Sequence, residues 1–193
     1  MITEHEIQIA RKCIQTALEK GADSVRISLN KSVSDSITIL NGETDKVSHS
    51  ADRSFYFYLF AEGKYGTFST NRLDELELDS FIDNAIAMVK MLGEDECRRL
   101  PDPERMEKDA HTGLELGLYD TSYSPDDTDT RLARAAQLAA CSDMSPFDTD
   151  SFEIISEECE YTESFDDTFL IDSQGFEGRH TETTFSGFCE ITV

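Results

Sequence analysis

The sequence predicts an α+β protein in which an antiparallel sheet packs with helices, and three observations carry that assignment. Apolar residues recur at helical spacing over residues 3–20 and again over 74–92. Between them lie short runs of alternating apolar and polar residues, the pattern of half-buried strands. Those runs are punctuated by Asn41-Gly42 and by Glu62-Gly63-Lys64, which are tight-turn signals.

The first helix is delimited by chemistry at both ends. Thr3 and Glu6 have the spacing of a capping box, and Gly21 stands where a helix commonly ends. Ile7, Ala10, Ile14, Ala17 and Leu18 form one apolar stripe. Val25, Ile27 and Leu29 then alternate with Arg26 and Ser28, and Ile37 and Ile39 repeat the pattern. Phe55 to Phe60 is apolar or aromatic at every position, which predicts a central strand covered on both faces. Residues 23–70 therefore read as a meander of four or five strands. Phe55, Phe57 and Leu59 are expected to be buried with Ile14, Leu18 and Phe81.

Asp74 is the expected N-cap of the second helix, with Glu77 three residues on. Leu78, Phe81, Ile82, Ala85, Met88, Val89 and Leu92 form its stripe, and Gly93 ends it. Residues 1–93 thus form a helix–meander–helix unit. Residues 94–124, with Pro101, Pro103, Gly113 and Gly117, read as a surface linker. Residues 125–193 read as a third helix followed by antiparallel strands. Its predicted start places Ser124 at N-cap, Pro125 at N1 and Asp127 at N3, with Leu132, Ala135, Ala136 and Ala139 on a small-residue face. After Pro146, Phe152 and Ile154 alternate, then Phe169 and Ile171, then Phe185, Cys189, Ile191 and Val193. The last strand still alternates at Val193, so the natural chain is expected to continue into a C-terminal domain.

Composition bounds the function. Apolar residues make up 38% and charged residues 30% of the 193 positions, the balance of a soluble globular chain. No apolar run approaches the roughly 20 residues that span a bilayer, and Met1-Ile2-Thr3-Glu4-His5-Glu6 lacks the basic and apolar regions of a signal peptide. The net charge of −23 argues against nucleic acid as a direct partner, because phosphate binding needs Lys and Arg patches. No Lys or Arg occurs between Arg134 and Arg179, where Asp148, Asp150, Glu153, Glu157, Glu158, Glu160, Glu163, Asp166 and Asp167 read as a solvated acidic face. A surface for a basic partner is the alternative. Cys13, Cys97, Cys141, Cys159 and Cys189 are odd in number and widely spaced, as expected of small hydrophobes in a reducing cytosol.

No catalytic, cofactor-binding or metal-binding residue can be named from these patterns. His5, His49, His111 and His180 are far apart, and His5-Glu6 lacks the second histidine of a zincin helix. Asp126-Asp127-Thr128-Asp129 and Asp148-Thr149-Asp150 lack the glycine and distal glutamate of a calcium loop, so helix-start and loop chemistry explains them. There is no Gly-x-Ser-x-Gly, no cysteine beside a base and no phosphate loop. The chain by itself is expected to bind no structural zinc and to cleave no peptide.

Three segments, in order, resemble the TldD/PmbA family on its PmbA (TldE) side. The first runs from Gly21-Ala22-Asp23 through Asn41-Gly42-Glu43, Lys46-Val47, Asp52-Arg53 and the aromatic strand to Glu62-Gly63-Lys64-Tyr65-Gly66 and Ser69-Thr70. The second comprises Leu100-Pro101-Asp102-Pro103-Glu104 and Leu118-Tyr119-Asp120, similar to the linker of the PmbA-type subunit. The third is Asp172-Ser173-Gln174-Gly175-Phe176-Glu177-Gly178 followed by Thr184-Phe185-Ser186, which looks like the family's Asn-Ser-x-Gly-Phe-Glu-Gly segment with Asp172 in the Asn position. The resemblance implies the N-terminal region of a cytosolic protein more than twice this length. The family carries the historical label of a DNA gyrase modulator and acts as a two-subunit zinc metalloprotease that degrades unfolded peptides and matures peptide antibiotics. It further implies that zinc sits in a TldD-type partner subunit, on a His-Glu-x-x-x-His helix, and that the PmbA-type subunit lacks that motif. No position here matches a catalytic residue of the family. The resemblance therefore implies a non-catalytic region acting in subunit assembly or chamber formation, with a TldD-type chain or a second copy as partner. The alternative is a stand-alone acidic interaction module unrelated to proteolysis.

Overall fold

The computed structural model describes residues 1–109, 111–124, 127–141 and 152–193. The elements run α1 (Glu4–Glu19), β1 (Ser24–Leu40), β2 (Glu43–Ala61), β3 (Lys64–Thr70), α2 (Glu75–Val89), α3 (Thr128–Ala140), β4 (Ser156–Asp172) and β5 (Glu177–Thr192), with a single 3-10 turn at Pro103–Arg105. The strands form one five-stranded antiparallel sheet in the order β3-β2-β1-β4-β5, so the α+β assignment holds.

Residues 23–70 hold three strands rather than four or five, because two of them are very long. The polar stretch Ser32 to Ser36 does not interrupt β1, and Glu43 to Arg53 stays extended although almost all of it is exposed. Backbone pairing, not side-chain burial, carries the strands through these segments. The two hairpin turns are two residues each. Asn41 and Gly42 have φ of 50° and 82°, and Glu62 and Gly63 have 55° and 69°. Positive φ at both central positions is what a type I′ turn requires, and its twist matches that of the flanking strands. Beyond the second turn β2 and β3 pair from Ala61↔Lys64 to Phe55↔Thr70.

Two compact units interleave along the chain. The first comprises Met1–Lys31, Asp52–Leu118 and Asp166–Glu182. Its core joins α1 and α2 to one sheet face: Ile7, Ala10, Cys13, Ile14 and Ala17 from α1, Leu78, Ile82, Ala85, Ile86 and Val89 from α2, and Val25, Ile27, Leu29, Phe55, Phe57 and Leu59 from the sheet. Phe57 is fully buried and its ring centroid lies 5.1 Å from that of Phe81, which packs at the core margin. Loss of such a ring costs about 3–5 kcal/mol.

The periodicity arguments erred at the edges of these stripes. Leu18 is exposed, because Ala10, Cys13, Ile14 and Ala17 centre the buried face and Leu18 lies one residue past it. Met88 and Leu92 are exposed as well, and α2 stops at Val89 with Lys90 as C-cap, ahead of Gly93. The aromatic strand is covered fully on one face only: Phe55, Phe57 and Leu59 are buried, whereas Tyr56 is exposed and Tyr58 and Phe60 are half-buried. The caps behave as expected. Thr3 and Glu6 form the reciprocal capping box, and Asp74 accepts from the Leu76 and Glu77 amides.

The second unit comprises Ser32–Ala51, Tyr119–Phe165 and Thr183–Val193. Its smaller core sets Ala135 of α3 against Ile37 and Ile39 of β1, with Leu132, Ala139 and Tyr161 alongside. The N-cap of α3 is Asp127, which accepts the Thr130 amide at 3.0 Å, rather than Ser124. Pro125 and Asp126 lie outside the described residues, as do Pro146, Asp148 and Asp150. Phe152 and Ile154 precede β4, which begins at Ser156 and carries Phe169 and Ile171 in the same strand.

The cysteines depart from expectation. Cys159 on β4 and Cys189 on β5 are joined in a disulfide, with Cα atoms 4.1 Å apart. Facing positions on antiparallel neighbours approach this closely, a relationship that a spacing of 30 residues in sequence conceals. Cys13 is buried, and Cys97 and Cys141 are exposed thiols. Burial pushes the Cys13 thiol up to about 12, which disfavours its thiolate.

Candidate functional site

Three polar nodes stand out, and each begins with a charged side chain where sequence patterning expects water or apolar packing. The inward positions of β4 alternate as Cys159, Glu163, Phe165, Asp167, Phe169 and Ile171, all buried. Two members of the presumed solvated acidic face, Glu163 and Asp167, are therefore inside. A buried carboxylate needs a partner, and each has one.

Asp167 is gripped by Arg179 of β5 through Nε at 2.9 Å and Nη2 at 2.6 Å. It also accepts the Ile2 amide at 2.6 Å and the Thr181 hydroxyl at 3.1 Å. Burial pushes this carboxyl up, but the Arg179 and Ile2 hydrogen bonds outweigh it and hold the group below the usual carboxylate range.

The second node is the turn Asp172 to Gly178. Asp172 Oδ1 accepts the amides of Gln174 (3.0 Å) and Phe176 (3.2 Å), while Oδ2 accepts Arg26 Nη2 at 2.8 Å. The Ser173 amide donates to the Val25 carbonyl at 2.9 Å, and the Val25 amide donates back to Ser173 Oγ at 3.0 Å. Arg11 of α1 clasps Glu177 with two bonds of 2.9 and 2.7 Å. The Phe176 ring folds over Gly178, where a Cβ would lie 2.6 Å from the ring and require it to shift. The segment that resembles a family motif is thus a lock that fastens the β4–β5 turn to β1 and α1.

The third node lies under α3. Arg131 is almost fully buried, donates from Nε to Glu163 Oε2 at 2.8 Å and from Nη2 to the Ser124 carbonyl at 2.8 Å, and lies 3.5 Å from Asp35. Glu163 Oε1 accepts the Tyr161 hydroxyl at 2.7 Å and is also held by Arg134. Asp35 Oδ1 meets His49 Nδ1 at 2.7 Å. Tyr123 lies beneath the Arg131 guanidinium and stacks on Phe165. Burial raises the Tyr123 phenol above its ordinary range; for Tyr161 burial acts first and its hydrogen bond to Glu163 second.

This node has acids, bases and cations, yet its arrangement is that of a structural pair. The adjoining cavity holds about 20 Å³, room for roughly one water. Ser122 at its edge donates its hydroxyl to Asp120 Oδ1 at 2.7 Å, and no histidine lines the cavity among the described residues. Of the larger depressions, those of about 530 Å³ beside Arg72, Phe81 and Asn84 and about 480 Å³ beside Ile39, Leu132 and Ala136 lack a convergent set of titratable groups, and a third of about 190 Å³ is lined by Cys13, Asp79 and the surface pair Lys12–Glu75. The histidines stay dispersed: His5 and His111 are exposed, His49 serves Asp35, and His180 meets Glu182 at 3.2 Å. Among the described residues no three His, Cys, Asp or Glu side chains converge as metal ligands. Nor is any described helix long and apolar enough to cross a membrane.

Sequence reasoning missed Arg131, Glu163 and Asp167. Their signal was parity and period: Glu163 and Asp167 share the odd positions of Phe165 and Phe169, and Arg131 stands four residues before the buried Ala135.

Residues 25–89 match the family model for PmbA/TldA metallopeptidase domain 1. The chain matches the N-terminal region of the TldD/PmbA family. A proposed modulator of DNA gyrase from Bacteroides thetaiotaomicron aligns over 100% of this chain at 29% identity with a TM-score of 0.87. Two further solved structures share the fold. TldE from Thermococcus kodakarensis aligns over 95% of the chain at 17% identity and a TM-score of 0.68. A proposed modulator of a DNA gyrase from Thermotoga maritima aligns over 96% at 12% identity and 0.64. The chain spans 42%, 39% and 43% of these three proteins respectively. No curated protein sequence matches it. Within this family frame, the Asn41-Gly42 and Glu62-Gly63 signatures are the two hairpin turns, and Leu100 of the linker segment is buried.

Proposed function

We propose that this chain is the N-terminal region of a PmbA/TldE-like subunit of a cytosolic zinc metalloprotease complex, acting in subunit assembly or in enclosing the peptide chamber rather than in bond cleavage. The observation that carries this reading is the alignment of this whole chain with 42% of the Bacteroides thetaiotaomicron protein at a TM-score of 0.87, together with the commitment of the buried acids Glu163, Asp167 and Asp172 to structural partners. Amide hydrolysis needs an activated water or nucleophile and a stabiliser for the developing oxyanion. The three nodes supply neither. In this reading the zinc belongs to a TldD-type partner, and peptide substrates reach this subunit only through the complex.

Co-expression of the complete gene product with the TldD-type protein of the same genome tests the proposal. The expected result is a co-purifying pair that degrades unfolded peptides faster than the TldD-type chain alone, while this subunit alone is inactive. Separate elution, with no gain in activity on mixing, overturns it in favour of a stand-alone acidic interaction module.

A further inference from the structure

Three of the five cysteines meet at one end of α3. The Cys159–Cys189 disulfide joins β4 to β5, with Cys159 buried at 2% exposure and Cys189 open to solvent. Cys141 is an exposed thiol at the C-cap of α3. Its amide donates to the Leu138 carbonyl at 2.9 Å, and Cys189 Sγ lies 3.6 Å from that same oxygen. The Leu138 side chain also covers Gly187, where a Cβ would come within 2.8 Å of it, so this end of α3 sits directly on β5. A free thiol, an exposed disulfide sulfur and a common carbonyl thus occupy one small neighbourhood.

We infer that Cys141, Cys159 and Cys189 form a thiol–disulfide exchange site in which the Cys159–Cys189 bridge isomerises to Cys141–Cys189. The Cys141 thiol loses its proton to solvent and the thiolate attacks Cys189 Sγ, the accessible sulfur of the bridge. A Cys141–Cys189 bond forms as the Cys159–Cys189 bond breaks, and Cys159 leaves as thiolate and takes up a proton. One disulfide and one thiol stand on each side of the step, so no outside oxidant or reductant is required. The Cys141 thiol now lies 3.4 Å from the Gln137 carbonyl, so exchange requires it to leave its own last turn and approach Cys189. Exchange would tie α3 to β5 covalently. It would also free the Cys159 thiol on the wall of the apolar depression formed with Ile39, Leu132 and Ala136.

Disulfide mapping tests this. Trypsin is unsuitable, because no Lys or Arg lies between Arg134 and Arg179, so Cys141 and Cys159 share a peptide. A glutamate-specific protease separates all three cysteines through Glu153, Glu158, Glu160, Glu182 and Glu190. The protein is equilibrated in a glutathione buffer at about pH 8, quenched in acid, alkylated, cleaved and analysed unreduced. Wild type is expected to yield both Cys159–Cys189 and Cys141–Cys189 peptides, and to reach that mixture faster as pH rises, because the thiolate attacks. Cys141→Ser, an exposed substitution, should lose the second species and keep the first. Cys159→Ser with oxidised glutathione should give Cys141–Cys189. Only Cys159–Cys189 in wild type at every pH, three free thiols throughout, or a Cys141–glutathione adduct in Cys159→Ser without the Cys141–Cys189 bridge would each overturn the inference.

Discussion

Arg179 and Asp167 form a two-point ion pair in the first unit, with Arg179 Nε and Nη2 each donating to a separate carboxylate oxygen. The Asp167 side chain has no solvent exposure and that of Arg179 has 17%. The same two groups hold the start of the chain, since Asp167 accepts the Ile2 amide and Arg179 donates to the Ile2 carbonyl at 3.1 Å. One pair therefore closes a hairpin and anchors the segment that leads into α1.

Removing one partner strands the other. Arg179→Ala leaves a buried carboxylate without its cation and is expected to cost about 3–5 kcal/mol. Asp167→Asn should cost less at acid pH than at neutral pH. The Asp167 carboxyl is held below its ordinary range in the folded state, so its stabilisation is present above the unfolded carboxylate range and fades as pH falls through the folded value. Denaturant titrations of wild type and Asp167→Asn should therefore converge as pH drops below about 4. A constant gap down to pH 2 would contradict this account.

Glu6 should add to the acid sensitivity. Burial pushes its carboxyl up, but Lys31 at 2.8 Å and the Thr3 amide and hydroxyl win and bring it from 4.5 to about 2. A folded value below the unfolded one means full stabilisation above about pH 4.5 and loss as pH falls toward 2. The corresponding ceiling is about 3 kcal/mol at neutral pH. Glu6→Gln, which keeps a short polar cap but no charge, should lower the urea midpoint at pH 7 and scarcely change it near pH 2.5. NMR titration of the Glu6 carboxyl gives the direct check.

Much of this architecture is visible in sequence, and the failures have physical causes. The capping box at Thr3, the cap at Asp74 and both turns were legible because they depend on residues within a few positions of one another. The length of β1 was not, since pairing with β2 and β4 carries it across Ser32 to Ser36 without any local signal. Glu163 and Asp167 looked like surface charge because their cations lie on other elements, Arg131 on α3 and Arg179 on β5. The disulfide was hidden for the same reason: strand register, not cysteine spacing, brings Cys159 to Cys189. The motif around Asp172 was recognisable as a pattern, whereas its mechanical role needed Arg26, Val25 and Arg11 in place.

Glu62 occupies the first central position of the β2–β3 turn at φ 55°, a region that an ordinary side chain populates poorly. Its amide is held by Asp23 Oδ2 at 2.6 Å, and its carboxylate meets Lys90 at 3.3 Å on the surface. The exposed ion pair is worth little, and the backbone preference outweighs it. Glu62→Asn, which creates Asn-Gly, is expected to stabilise the protein by about 0.5–1 kcal/mol. Thermal denaturation at matched pH measures it, and a lower midpoint would show that the Lys90 contact matters more than the turn.

Asp172 separates two contributions within one side chain. Oδ1 organises the turn through the Gln174 and Phe176 amides, a task that the carbonyl of Asn performs equally well; Oδ2 carries the charge facing Arg26. Arg26 is demanding, because its Nε is already buried without a hydrogen-bond partner and its guanidinium lies 6.0 Å from the Phe176 ring. Asp172→Asn should therefore keep the turn and lose about 1–2 kcal/mol from the charged hydrogen bond, whereas Asp172→Ala should lose both contributions, about 3 kcal/mol or more. The double variant Arg26→Met/Asp172→Asn removes the orphaned cation and should recover part of the single-variant loss. Chemical denaturation of the four proteins decides it: equal losses for Asn and Ala would mean that the amides contribute nothing, and no recovery in the double variant would mean that Arg26 is not the partner that makes the charge necessary.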